Sequence, residues 1–149
     1  LMTKLFSYTI SFLTVLSVSL ALEDKDTICP ISGNPIKGSK IKTEYKKGNV
    51  ALCSESCKVK FSKNPEKFST MGNFQLVSTG QYVQTNCPAT GRKLKNKSKN
   101  PKIVTIMKND VELCCGGCMK KVSKMAETEK FDYIFSNKSF KKGYKLASK

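Results

Sequence analysis

The sequence predicts an α+β protein of two small tandem modules, each a β-hairpin followed by a helix, behind a cleaved signal peptide. Three observations carry this. One cysteine pattern occurs twice, as Cys29-Pro30-Ile31-Ser32-Gly33 with Cys53 and Cys57, and as Cys87-Pro88-Ala89-Thr90-Gly91 with Cys114 and Cys118. The register from Cys29 to Cys87 is 58 residues, and from Cys53 to Cys114 and Cys57 to Cys118 it is 61, so a duplication carries a three-residue insertion. Each C-x3-C pair follows a short alternating apolar run and precedes apolar residues at helical spacing.

The first residues read as a leader. Lys4 gives a positive start, Leu5–Leu20 is apolar apart from Ser, Thr and Tyr, and Ser19-Leu20-Ala21 ends it with small residues at the peptidase positions. The run is shorter than the roughly 18–20 residues a membrane-spanning helix needs. The expectation is cleavage after Ala21, export to a periplasmic or extracellular space, and no stable membrane span afterwards. The division that follows is 1–21 signal peptide, 22–86 first module with linker, and 87–149 second module with a basic tail.

In the first copy Ile41–Tyr45 alternates and predicts a strand, Lys47-Gly48-Asn49 a hairpin turn, and Val50–Leu52 the return strand that delivers Cys53. Ser54-Glu55-Ser56 predicts a helix start, with hydroxyl and acid where free N–H groups want acceptors. Cys53, Cys57 and Phe61 then share a face. Asn64-Pro65-Glu66 breaks the helix and Phe68 closes the module. Phe74–Val77 and Tyr82-Val83 flank Ser78-Thr79-Gly80, as a further hairpin or a short helix-to-strand bridge. The second copy repeats the order: strand Ile103–Met107, turn Lys108-Asn109-Asp110, return strand Val111–Leu113. A longer helix from about Cys115 to Phe131 follows, uninterrupted by proline, with Val122 at the place of Phe61. The lysine-rich tail from Ser136 to Lys149 is expected to fray.

The net charge is +16, yet Arg92 is the one arginine among 27 cations. Phosphate and base recognition draws on arginine's planar fork, so the charge reads as a lysine-rich solvated surface and nucleic acid is not an expected partner. There is no histidine and no carboxylate pair at convincing spacing, so the chain does not read as an enzyme. Thiols are its chemistry.

Each copy supplies a turn cysteine and a strand-to-helix pair. A helix N-terminus favours thiolate, the metal-binding form. Three sulfurs without histidine suit a soft or borderline ion, zinc, copper(I) or a thiophile such as mercury(II), and disfavour magnesium and calcium. The candidate ligands are Cys29, Cys53 and Cys57 in one module and Cys87, Cys114 and Cys118 in the other, for one zinc or copper(I) ion per module. Cys115 is the unmatched seventh cysteine and an optional ligand. Modules this small commonly need a metal or disulfides to stay folded. The alternative is therefore a disulfide-stabilised structural or interaction module without metal, with Cys53–Cys57, Cys114–Cys118 and Cys29–Cys87 as pairings. A thioredoxin-like Cys115-Gly116-Gly117-Cys118 motif lacks the surrounding βαβ pattern. Met107, Met119 and Met125 read as core filling rather than as copper(I) ligands.

The run from Leu52 to Phe68, LCSESCKVKFSKNPEKF, resembles the end of a YHS domain, also called a TRASH-type metal-binding domain. Cys29-Pro30 with Gly33 and the Tyr45–Val50 hairpin resemble its beginning. The likeness covers nearly all of 28–70 and returns more loosely over 86–135. It implies a treble-clef-like hairpin plus helix in each module. It also implies binding or sensing of thiophilic metals through the six cysteines named above. Besides the metal ion, the partner it implies is a membrane-bound metal transporter or oxidase, the proteins to which many relatives are attached. A stand-alone exported pair fits buffering or delivery of zinc or copper better than turnover.

Overall fold

A computed structural model describes residues 27–38, 40–94 and 99–148. The leader expected over 1–21 lies outside the described residues. The fold is mixed α+β, with four two-stranded antiparallel sheets and five helices among the described residues. None of those helices is long and apolar enough to cross a membrane.

The chain opens with β1 (Thr27–Ile28) and β2 (Pro35–Ile36), a short ribbon on either side of Cys29 and its turn. A hairpin follows, β3 (Lys42–Tyr45) with β4 (Gly48–Ala51), Tyr45 facing Gly48 across the turn. The turn residues are Lys46 and Lys47, one position earlier than the sequence suggests, and both have positive φ, 49° and 64°. Two successive left-handed residues match the twist of the flanking strands, which fixes a two-residue loop even without glycine at either place. Helix α1 (Glu55–Lys63) buries Cys57 and Phe61. After the Pro65 turn comes α2 (Ser69–Ser78), which buries Ser69, Gly72, Asn73, Phe74, Gln75 and Leu76. It leads into β5 (Tyr82–Gln84), so the segment between the copies is a helix-to-strand bridge.

The second copy repeats the hairpin in β6 (Lys102–Ile106) and β7 (Asn109–Leu113), again turning through two left-handed residues, Met107 and Lys108. Met107 is therefore no core residue: it lies 44 % exposed at the loop, while Met119 packs against the core. The short first ribbon recurs as an Asn86–Lys93 bridge. The expected long helix is two, α3 (Gly116–Ser123) and α4 (Glu127–Phe135). Met125 N–H closes on the Val122 carbonyl, and Ala126 turns extended at φ −63°, ψ 157°. The break lets Val122 bury against its own hairpin while Ile134 and Phe135 bury elsewhere. A straight helix presents one stripe and cannot serve two directions.

The tail does not fray. It forms α5 (Asn137–Gly143) and β8 (Tyr144–Leu146), and β8 pairs with β5. Ser136 caps α5 by accepting the Ser139 N–H. Phe140 and Tyr144 are each 4 % exposed, and burying two aromatic rings outweighs the solvation of the lysines between them. Their rings continue a series, Tyr82 on Phe140 at 4.9 Å, Phe140 on Tyr144 at 5.5 Å, Tyr144 on Phe135 at 6.0 Å and Phe135 on Phe74 at 5.1 Å. This series joins α2 and β5 of the first half to α4, α5 and β8 of the second, and the buried residues form one cluster. Lys46 adds a polar tie, donating to Asn73 at 2.8 Å and to Asn137, with its ammonium 5.0 Å from the Tyr45 and Phe140 ring centroids. Burial lowers its pKa.

Candidate metal centres

Each centre is built on a turn, a strand end and a helix start. In the turn, the Cys29 N–H donates to the Asn34 carbonyl and the Gly33 N–H returns to the Cys29 carbonyl, both at 2.9 Å. The second turn is the same, Cys87 to Arg92 at 2.8 Å and Gly91 to Cys87 at 2.7 Å. Gly33 and Gly91 stand at φ 71° and 80°, where a Cβ is strained, which accounts for glycine in both copies. Strand β4 stops just before the buried Leu52 and β7 ends at the buried Leu113, which sets Cys53 and Cys114 at the helix entrance. One helical turn on, Cys57 and Cys118 come round to the same side.

The structure brings Cys29, Cys53 and Cys57 together, and likewise Cys87, Cys114 and Cys118, with the sulfurs of each triad all within 4.8 Å of one another. Cys53 Sγ is 3.5 Å from Cys57 Sγ, and Cys114 Sγ is 3.8 Å from Cys118 Sγ. Two sulfurs on one tetrahedral ion at a bond length of about 2.3 Å stand about 3.8 Å apart. A disulfide needs about 2 Å. All seven cysteines are free thiols here. The donor set fits a thiophilic ion. Cys115 stands outside the triads, on the rim of the second, its Sγ 3.6 Å from Cys118. Cys114 and Cys115 also line an open cleft of about 270 Å³ with Pro101, Lys102 and Glu112.

Two sets of supporting side chains were not singled out from the sequence. Ser32 Oγ lies 3.4 Å from Cys53 Sγ, and its counterpart Thr90 Oγ1 lies 3.3 Å from Cys114 Sγ. Each oxygen also accepts a backbone N–H, from Asn34 and Arg92, at 3.3 Å. The hydroxyl proton is left to donate to a thiolate. A hydroxyl at the same place in both copies was the available signal. The second set is a pair of glutamines. Gln75 Nε2 donates to the carbonyls of Ala51 and Ile28, and Gln75 Oε1 accepts the Ala51 N–H. Gln84 does the same for Glu112 and Asn86. Ile28 and Asn86 immediately precede the turn cysteines, and Ala51 and Glu112 lie two residues before the C-x3-C pairs. Each glutamine thus ties together the two segments that carry ligands. Gln75 is on α2 and Gln84 on β5, so no repeat register exposes their equivalence.

Charge is unequal within each triad. Burial works against the Cys29 thiolate, but the Ser32 hydroxyl and the N–H groups of Ser32, Cys53 and Ile31 outweigh it and bring Cys29 down to about 6. Cys87 is lowered in the same way: burial is overcome by the Cys114 N–H and by the Thr90 side chain and N–H. The helix cysteines go the other way. Ser54 favours the Cys57 thiolate, but burial, Cys53 and the charge of Cys29 raise its pKa. Burial, Cys115, Cys114 and the charge of Cys87 push Cys118 up to about 12. Hydrogen bonds from the Cys118 N–H and from the Cys118 and Cys114 thiols bring Cys115 down to about 7. In each centre the turn cysteine therefore favours its thiolate while the last helix cysteine disfavours its own, and a cation bound between them would offset that second cost.

No protein-family model, curated protein or solved structure matches this chain.

Proposed function

We propose that this protein is an exported metal-binding protein of the YHS/TRASH type, with two treble-clef-like thiolate centres that buffer or deliver zinc or copper(I), one ion in each. The observation that carries this reading is the pair of equivalent triads, three sulfurs within 4.8 Å at each. A disulfide module explains it less well, because three converging thiols leave one over at each centre. The same sulfur chemistry, with no histidine in the chain, favours binding over turnover. Cys53 is exposed and Cys114 partly so, which leaves one ligand of each centre open to an incoming acceptor and fits hand-over to a membrane-bound transporter or oxidase.

The test is metal analysis with a free-thiol count on protein from an oxidising compartment, for the parent, Cys57→Ser and Cys118→Ser. The expected result is two equivalents in the parent and one in each variant. Protein with no metal and a single free thiol, the one that seven cysteines must leave over, would establish the disulfide module instead.

A further inference from the structure

The two centres differ at one matched position, the cap of the helix that carries the last ligand. In the first copy Ser54 caps α1, its hydroxyl accepting the Cys57 N–H at 3.3 Å. Cys115 holds the same position in the second copy with nearly the same extended backbone, φ −161° and ψ 166° against −155° and 161°. Its side chain does not cap α3. Its sulfur is turned to Cys118 instead. The next two residues change as well, from Glu55-Ser56 to Gly116-Gly117.

Each of these changes weakens a helix start. A cap hydroxyl is lost, the acid that complements the helix dipole is lost, and glycine is the poorest helix former after proline. The first two also favour another sulfur. Cys115 supplies it. Gly116 removes a carboxylate beside converging thiolates. A Cβ at Gly117 would make only ordinary contact with Cys115 Sγ, at 3.8 Å, so that glycine counts for the weakened helix start alone. Local rules broken together, around one group, mark a functional site. The sulfurs of Cys114 and Cys115 both approach Cys118, at 3.8 and 3.6 Å. Those two spacings match sulfurs sharing one tetrahedral ion, about 3.8 Å, and Cys115, which is not within 4.8 Å of every sulfur of the triad, has to turn its side chain inward to complete the four.

We propose that the two centres have different tasks. The second, Cys87, Cys114, Cys115 and Cys118, is a four-sulfur site that holds a tetrahedral divalent ion closed. The first has three sulfurs, and its Cys53 is exposed, so it is the open site through which metal passes. Closed four-coordinate sites retain their ion, and sites with a free position exchange it. This rests on the metal-binding reading above.

Cobalt(II) titration of the reduced chain, followed by sulfur-to-cobalt charge-transfer absorbance, tests it in the parent, Cys115→Ser and Ser54→Cys. The parent should bind two equivalents in two steps, the tighter one with the stronger absorbance. Cys115→Ser should weaken the tighter step by at least about tenfold, the low end of what changes outside the ligand shell already do at metal sites. The same variant should melt at a higher temperature than the parent when metal-free, because serine restores the cap. Ser54→Cys should tighten the looser step. Identical two-step titrations of the parent and Cys115→Ser overturn the division of tasks and leave metal binding standing. A metal-free Cys115→Ser chain less stable than the parent overturns it too, since Cys115 would then be a packing residue. No cobalt bound by any of the three overturns the metal-binding reading itself.

Discussion

Gln75→Leu tests how the first centre is held. Gln75 is 1 % exposed and makes three side-chain hydrogen bonds to backbone, two with Ala51 and one with Ile28. Leucine has nearly the same volume, so the change removes the polar ties without opening a cavity. Three bonds at about 1 kcal/mol net each are lost. The added apolar surface returns part of that, leaving a destabilisation of about 2–3 kcal/mol. The half-buried Ala51 and Ile28 groups keep the figure near the low end of the unsatisfied-group range, because water reaches them after a small opening. In urea, with a slope of about 1.5–2 kcal/mol/M, the midpoint should fall by about 1–2 M with the slope unchanged. The local signature separates this from general damage: affinity at the first centre should drop several-fold while the second is unaffected, because Gln84 holds that one. A stability loss under about 0.5 kcal/mol, or equal weakening of both centres, would refute the reasoning.

Gly143→Ala should act on the second centre. An added Cβ would lie 2.9 Å from the Pro88 Cα, a backbone atom next to Cys87, so the turn must shift. The expected loss is about 1–3 kcal/mol, the usual result of overpacking, with weaker metal binding at the second centre measured by competition with a chelator; unchanged stability would contradict the contact. Phe140→Ala should cost about 3 kcal/mol in thermal or urea unfolding, since its ring is buried between Tyr82 and Tyr144, and a loss below 1 kcal/mol would mean the tail is not docked. Metal uptake should release protons. Near pH 7 the raised thiols of Cys57 and Cys118 are protonated, and Cys118 would need a pH of about 12 to ionise alone. Apparent affinity should therefore fall about tenfold per pH unit for each proton displaced, more steeply below about pH 6 where Cys29 also binds a proton. Uptake with no proton release in a weakly buffered indicator solution would rule this out.

The parts legible in the sequence are those that local chemistry dictates. Turn, hairpin and helix start were readable because Gly33 and Gly91 need positive φ, the strands alternate, and Ser54 is a strong cap. The hairpin loops were placed one residue late, because Gly48 and Asn109 look like turn residues while the left-handed positions fall to Lys46, Lys47, Met107 and Lys108. What was not legible depends on partners distant in the chain. The tail reads as solvated by its lysines, and only β5 and the Phe74–Phe135 series give Phe140 and Tyr144 somewhere to go. The break at Ala126 has no proline or glycine to announce it. It is imposed by two burial directions, one toward the hairpin and one toward α2.

The duplication has been kept in one layer of the fold and lost in another. Turn, hairpin and first helix recur nearly residue for residue, with Phe61 and Val122 filling the same place. The second helices do not: α2 carries Gln75 and packs on both halves, while α4 is extended by α5 and β8. A module of about 60 residues buries too little surface to be secure alone, and the aromatic series between the halves supplies the missing core. Metal sites built on the repeated layer can then loosen when an ion leaves while the shared layer stays packed. That matters for the proposed role as a metal carrier. Classical zinc fingers unfold when they release their ion. Here α1 packs on β3, and α3 on β6 and β7, so each centre has its own hairpin, while Gln75 of α2 and Gln84 of β5 tie both to the layer beneath and limit how far either opens.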